Sequence, residues 1–395
     1  MNLAKPDNCV IVIFGATGDL TKRKLMPAIY ELYCQGNLPV EFEVLGTSGS
    51  ELTDEAFRLN MADAVKKTEP AADENKLNSF LKRLHYVSMD FKDRARYAEL
   101  AEKIKELDKT CGDKGNRIFY LATIPALFGK IAENLAAAEL NNSSPGFTRI
   151  IVEKPFGYDL KSAIELNEQL HKYFQEEQIY RIDHYLGKET VQNVFVTRFA
   201  NGIFEPVWNR NYIHHVEVTS AENLGIENRG AYYETSGALR DMVQSHLLRI
   251  VALIAMEPPS SFESNAVRNE QLKVLQSLRK LRPEEVSEYV IRGQYLSSTI
   301  NGKTVKGYRE EKSVAADSRT ETYTAIKFYI DNWRWGGVPF YIRTGKMLPT
   351  RVTEAVIHFR KTPHFLFRES IDNSDNQLIL RIQPDEGILL KIGMK

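Results

Sequence analysis

Short apolar runs alternate with charged, amphipathic stretches through the first part of the chain. Residues 10–14 (VIVIF), 42–45, 117–122 and 148–152 read as strands, most of them buried. Between them, residues 22–35, 53–68, 73–83 and 125–139 carry the apolar spacing of helices. Strands alternating with helices predict a parallel sheet covered on both faces. After residue 190 the pattern changes. Residues 213–218, 324–330 and 355–359 alternate with period two, as half-buried strands do, and helical stretches at 237–255 and 265–279 lie among them. This half predicts a largely antiparallel sheet with helices on one side. Proline, serine and glycine at 143–146, 257–261 and 334–339 mark connections.

Composition narrows the function. At roughly 100–200 residues per domain, 395 residues make two domains or three. The 43% hydrophobic and 26% charged residues exclude a disordered or fibrous chain. Lysine plus arginine equals aspartate plus glutamate, 52 each, so no positive balance supports nucleic-acid binding. Cys9, Cys34 and Cys111 are scattered, odd in number and in no metal spacing, which fits a reducing compartment. The longest apolar runs, 9–14 and 250–256, fall short of the ~18 residues a membrane span needs. MNLAKPDN has no apolar signal region. The expectation is a cytoplasmic protein with neither a nucleic-acid nor a membrane partner.

Gly15-Ala16-Thr17-Gly18-Asp19-Leu20 stands directly after a strand and before a helix. Glycine allows a tight turn against a pyrophosphate, and the helix start offers N–H groups. Dinucleotide binding competes here with a plain strand–helix turn. The end of the second strand usually selects the coenzyme, an acid favouring NAD and an arginine NADP. Here it reads Gly46-Thr47-Ser48-Gly49-Ser50. Thr47 and Ser48 offer neutral donors to either coenzyme, or form a plain polar loop. Lys154, in EKPFG, ends a strand where ligands gather; a snorkelling surface lysine is the other reading. If residues from Asp183 onward are helical, His184 and Lys188 share one face. They then form either a phosphate site, with Tyr185 adding a hydroxyl, or a solvated basic face. His246 lies in an apolar helical stretch near Asp241, as a structural histidine or a general base.

GATGDLTKRKL, EKPFG, RIDHYLGKE, RGAYYETSGALRDMVQSH, GYREE, RWGGVPFYIRTGK and NQLILRIQPDEG resemble the glucose-6-phosphate dehydrogenase family, in family order and over essentially the whole chain. The resemblance implies an α/β Rossmann-type coenzyme domain over 1–182. A β+α domain with a large, mainly antiparallel sheet over 183–395 would follow, for substrate binding and oligomerisation. It implies oxidation of glucose 6-phosphate at C1 to the lactone, with hydride passing to NADP, the first step of the oxidative pentose phosphate pathway. No metal is required. His246 would be the general base and Asp183 its orienting acid. His184, Tyr185 and Lys188 would hold the phosphate. Glu222, Asp241, Lys346 and Arg351, with Lys24, would serve the sugar side, and Lys154 both sugar and coenzyme, before a cis bond to Pro155. The glycine turn (Gly15, Ala16, Thr17, Gly18, Asp19, Leu20), Ser48 and Tyr120 would bind the coenzyme.

Two departures qualify the resemblance. Gly49 stands where the family usually has an arginine for the 2′-phosphate, so a relaxed NADP preference with some use of NAD is expected. Lys22 and Arg23, which follow the glycine turn, can swing toward the phosphate in partial compensation. Family members run beyond this length, and the resemblance implies that their C-terminal segment is absent here. A homodimer or dimer of dimers is expected. Another Rossmann-type sugar oxidoreductase accounts for GATGDL and EKP but not RIDHYLGKE. A non-catalytic, truncated phosphosugar-binding relative accounts for the length but not the intact Asp183, His184, Lys188 and His246.

Overall fold

A computed structural model describes residues 5–112, 115–142, 145–183, 189–300, 302–361 and 376–393. The chain divides into two units, Met1–Ile182 and Asp183–Lys395.

The first unit is built on six strands: β1 Cys9–Phe14, β2 Phe42–Ser48, β3 Leu84–Ser88, β4 Arg117–Leu121, β5 Thr148–Glu153 and β6 Ile179–Ile182. All pairs are parallel, in the order β3-β2-β1-β4-β5-β6. That is the doubly wound order, whose chain reversal beside β1 opens a crevice at the carboxyl ends of the strands. Two apolar clusters cover the two faces of β1. Val10, Val12 and Phe14 pack with Leu100, Ile104 and Phe119. Ile13 packs with Met26, Phe57 and Phe80. β2 runs three residues beyond the apolar stretch expected for it, because Gly46, Thr47 and Ser48 are buried as well. β3 and β6 were not legible as strands: LHYVS and IYRI are short and half-polar.

The second unit has a seven-stranded sheet and a small hairpin. In chain order the strands are β7 Ile213–Ala221, β8 Val290–Gly293, β9 Ser298–Ile300, β10 Lys303–Val305, β11 Tyr323–Tyr329, β12 Pro339–Gly345, β13 Val352–Phe359, β14 Gln377–Gln383 and β15 Gly387–Lys391. β9 and β10 form the hairpin, and the sheet order is β15-β14-β13-β7-β12-β11-β8. Every sheet pair is antiparallel except β12 with β7, which is parallel. Val216 and Val218 of β7 point into a core with Val243, Leu247, Ile250 and Ile254 from the helical run over 239–255. Among the described residues no helix is long and apolar enough to cross a membrane.

A charge is buried in this core. The Arg198 side chain is fully covered, donates to the Leu253 carbonyl at 3.0 Å and to Glu205 at 3.2 Å, and lies over the Phe199 ring at 4.4 Å. Burial pulls its guanidinium down to about 10, against the opposing charge of Glu205. Arg334 then bridges Glu205, at 2.8 Å, and Glu257. Removing one member of a buried pair costs more than the pair contributes, because the other is left uncompensated. Glu205→Ala is expected to lose about 3 kcal/mol, the low end for such pairs, since Glu205 is 29% exposed. Chemical denaturation checks this, and a loss under about 1 kcal/mol, the scale of a surface pair, contradicts it.

Candidate active site

In the first unit the strand–turn–helix geometry is strict. Gly15 sits at φ +87°, and a Cβ there would lie 2.3 Å from the Ala122 carbonyl oxygen. The turn is tied to β2 by the Gly15 and Ala16 N–H groups, which donate to the Thr47 carbonyl at 2.8 and 3.1 Å. It closes on itself through Gly18 N–H to Gly15 O at 2.9 Å and Thr21 Oγ1 to Gly15 O at 3.2 Å. The following helix opens with a π-helical turn, Thr21–Leu25, that leaves Lys24 exposed, before Met26–Cys34 continues as α-helix. Such insertions recur at functional sites. Asp19 pairs with Arg23 at 2.7 Å on the open surface, both side chains 75% exposed.

The end of β2 corrects one expectation. Thr47 is fully buried, so it is not available as a donor at the surface. The hydroxyls gathered there are Ser48, Thr17 and Ser50. Ser48 Oγ meets Thr17 Oγ1 at 2.9 Å and the Tyr86 hydroxyl at 2.7 Å, and Ser50 Oγ lies 3.4 Å from Thr17 Oγ1. Gly49 is exposed, and a Cβ on it would meet nothing within 4 Å. At the neighbouring strand ends, the Tyr120 hydroxyl donates to Glu153. Burial, reinforced by that carboxylate, pushes the phenol well above its usual range, so it remains a donor. Lys154 follows Glu153 at the end of β5, half-buried, and its bond to Pro155 is cis.

In the second unit two acid–base pairs form. His246 is 1% exposed, and its Nδ1 lies 2.8 Å from Asp183 Oδ1. A carboxylate oxygen accepts, so Nδ1 carries the proton and Nε2 is left as the basic nitrogen. The Asp183 side chain is 7% exposed, and Arg249 Nε stands 3.5 Å from its second oxygen. The other pair is Lys346, which donates to Glu222. Register explains it: β7 and β12 run parallel and end opposite one another, Ala221 against Gly345. The next residue of each strand therefore projects from the same end of the sheet. β13 starts there too, Val352 against Ala221, which brings the exposed Arg351 to that end.

Asp241 and His246 share one helical segment, and its form decides whether they cooperate. Five residues apart on an α-helix, they would point about 140° apart. Residues Leu239–Leu247 are π-helical, and the wider turn of i→i+5 bonding brings positions five apart nearer to one face than an α-helix would. The chain enters this segment through Gly237, at φ +59°, where a Cβ would lie 2.5 Å from Glu321 Oε1. That same oxygen accepts the Leu239 N–H at 3.0 Å, and the Glu321 carbonyl accepts the Ala238 N–H at 2.9 Å. The helix expected over 237–255 is thus two geometries joined, with Glu321 holding the entry. Asp241 is buried and accepts from the Tyr232 hydroxyl at 2.9 Å.

Two participants were invisible in the sequence. Glu321 has no local pattern; the isolated Gly237 in a helical run was the available signal. Tyr233 is fully buried beneath Lys346, whose Nζ stands 5.9 Å from the ring centroid. Burial, with the charges of Asp241 and Glu222, raises its phenol far above the usual range. Its hydroxyl has no hydrogen-bond partner among the described residues. His184, Tyr185 and Lys188 lie outside the described residues.

The arrangement supplies an oriented, buried imidazole, a lysine–glutamate pair at a sheet end and, in the other unit, a glycine turn beside hydroxyl donors. Comparison with known proteins identifies the family. The model "Glucose-6-phosphate dehydrogenase, NAD binding domain" matches residues 12–193, and "Glucose-6-phosphate dehydrogenase, C-terminal domain" matches residues 195–395. The glucose-6-phosphate 1-dehydrogenase of Aggregatibacter actinomycetemcomitans is 52% identical over 391 residues, covering 99% of this chain and 78% of that one. The Treponema pallidum enzyme of the same name is 50% identical over 392 residues, 98% of this chain and 76% of its own. A solved glucose-6-phosphate dehydrogenase in complex with its substrate glucose 6-phosphate superposes with a TM-score of 0.89 at 38% identity, over 99% of this chain and 78% of that one. A chain so matched along its length, with the strand order and the paired imidazole in place, belongs to the glucose-6-phosphate dehydrogenase family.

Proposed function

We propose that this chain oxidises glucose 6-phosphate at C1 to 6-phosphogluconolactone, with NADP as the hydride acceptor. The observation that carries the reading is the buried His246–Asp183 pair. Hydride leaves C1 readily only as the C1 hydroxyl loses its proton, and His246 Nε2 takes that proton while Asp183 stabilises the imidazolium. Glu222, Lys346, Asp241 and Arg351, with Lys24, hold the sugar's hydroxyls, and His184, Tyr185 and Lys188 hold its phosphate. The first unit fits a dinucleotide: Gly15, in the left-handed region and with no room for a Cβ against the Ala122 carbonyl, makes the tight turn between strand and helix that such a site needs. The turn from Gly15 to Leu20 and Ser48, with Tyr120 and Lys154, lines the coenzyme side. The same reading makes the protein a cytoplasmic homodimer or dimer of dimers.

The test is absorbance of reduced coenzyme with glucose 6-phosphate and with glucose, under NADP and NAD. Turnover of the phosphosugar well above glucose supports the reading. Preference for an unphosphorylated sugar points to another sugar oxidoreductase, and no turnover of either to a non-catalytic relative.

Coenzyme preference follows from Gly49. Ser48 and its neighbours offer neutral donors worth about 0.5–1.5 kcal/mol, against about 1.5–3 for a charge-assisted bond, so NADP is favoured only modestly. Open space around Gly49, and a φ outside the left-handed region, let an arginine fit without strain. Gly49→Arg is expected to raise the NADP/NAD ratio of kcat/KM by roughly fivefold, about 1 kcal/mol. An unchanged ratio would mean that another cation already serves the phosphate, with Lys22 and Arg23, which follow the glycine turn, the first to substitute.

Tyr233 yields a paired effect. A buried hydroxyl without a partner costs about 1–3 kcal/mol, and one beside the sugar-holding residues gains a partner when the sugar binds. Tyr233→Phe is expected to raise Tm while raising KM for glucose 6-phosphate by roughly tenfold, about 1.4 kcal/mol. A raised Tm with unchanged KM would remove Tyr233 from the substrate site.

A further inference from the structure

The seven-stranded sheet carries a second cluster, on the face opposite the helices. A β-bulge on β7 sets it up. Ile213 pairs with Phe359 and His215 with His358, so His214 is the extra residue. Bulges re-aim side chains. Here Ile213, Val216 and Val218 stay in the core while His215 and Glu217 turn to the other face, half-buried. His358 stands directly opposite His215 on β13, its ring stacked on that of His215 with centroids 3.9 Å apart and planes 16° apart. One ligand atom from each of His215, Glu217 and His358 lies within 4.8 Å of the others.

We propose that His215, Glu217 and His358 form a binding site for a divalent transition-metal ion of the zinc type, clipping β7 to β13. Two imidazoles and one carboxylate suit zinc, copper or nickel, and suit magnesium or calcium poorly. Tetrahedral ligands at about 2.1 Å from zinc stand roughly 3.4 Å apart, so closing the site takes shifts of about 1 Å in side chains on paired strands. Outer partners already orient two ligands, as metal-bound histidines require. His214 Nδ1 lies 2.7 Å from His215 Nδ1, leaving Nε2 toward Glu217 Oε1 at 3.5 Å. Gln377 Nε2 lies 3.3 Å from His358 Nδ1. Glu217 divides its two oxygens: Oε1 faces His215, and Oε2 faces Arg343 at 3.9 Å. The site supplies three protein ligands, so a tetrahedral zinc ion there would take a water as its fourth. It uses none of the residues assigned to catalysis.

Calorimetric titration of the chelator-treated full chain with Zn2+, repeated with Mg2+, tests the proposal. One Zn2+ per chain is expected, with no comparable Mg2+ binding and a metal-dependent rise in Tm. His358→Gln and the isosteric Glu217→Gln should each weaken Zn2+ binding by at least about tenfold, since even outer-shell losses cost that much. Both should keep wild-type turnover of glucose 6-phosphate, which also reports that they fold. Failure to bind Zn2+ stoichiometrically overturns the proposal. So does Zn2+ affinity unchanged in a folded Glu217→Gln protein, which would place the metal on other groups such as the exposed Cys34.

Discussion

His246→Asn lowers kcat for glucose 6-phosphate oxidation by at least roughly 100-fold, about 2.7 kcal/mol of barrier, while KM stays within a few-fold. The magnitude is that of one positioned general base, worth about 100- to 10,000-fold. Asparagine is chosen because its amide can still donate to Asp183 Oδ1, now 2.8 Å from His246 Nδ1, so Asp183 is not stranded. What it lacks is a basic ring nitrogen in the place of Nε2. Loss of an interaction made only in the transition state lowers kcat and kcat/KM together; loss of a sugar contact would instead appear in KM. Steady-state kinetics on a protein of unchanged Tm separates these outcomes, and near-normal kcat rejects His246 as the base.

Asp183→Asn is expected to cost about as much, roughly 100- to 10,000-fold in kcat, without touching the base itself. The carboxylate obliges Nδ1 to carry the proton. An amide offers an NH2 group that favours the opposite tautomer, with the proton on Nε2, where it blocks abstraction. It also withdraws the negative charge that stabilises the imidazolium, the orienting role of the acid in a catalytic triad. Because the two residues act as a unit, the double variant should be little slower than His246→Asn alone. A fully multiplicative double loss would show Asp183 acting independently of His246. Arg249, 3.5 Å from Asp183 Oδ2, stays in place in both variants and serves as an internal control for local structure.

How much of this was legible in the sequence depends on distance along the chain. β1 and the turn after it were readable because a wholly buried parallel strand is a continuous apolar run and the glycines follow it directly. β3 and β6 were not, since short strands with tyrosine, histidine and arginine have neither an apolar run nor clean alternation. The antiparallel half was readable from period-two stretches, but the one parallel pair, β12 with β7, depends on chain routing that no local pattern encodes. That pairing is what brings Glu222 to Lys346, 124 residues apart. The π-helical stretch over Leu239–Leu247 was hidden because its apolar spacing also fits an α-helix. Only Gly237 hinted at a break, and Glu321, which holds it, is remote in sequence. Thr47 misled for a related reason: a threonine near a strand end is read as polar loop until the partner strands show that β2 continues through it. The roles of single residues came from motif resemblance. The geometry adds the physical reason that His246 and Asp183 belong together.

Under the proposed function, C1 of glucose 6-phosphate loses a hydride on this protein to a nicotinamide coenzyme. The direct measurement uses glucose 6-phosphate deuterated at C1, with mass spectrometry of the coenzyme after turnover. One deuterium per reduced coenzyme formed is expected, with an equal amount of 6-phosphogluconolactone or its hydrolysis product. Reduced coenzyme without deuterium, or no reduction with this substrate under either NADP or NAD, would contradict it.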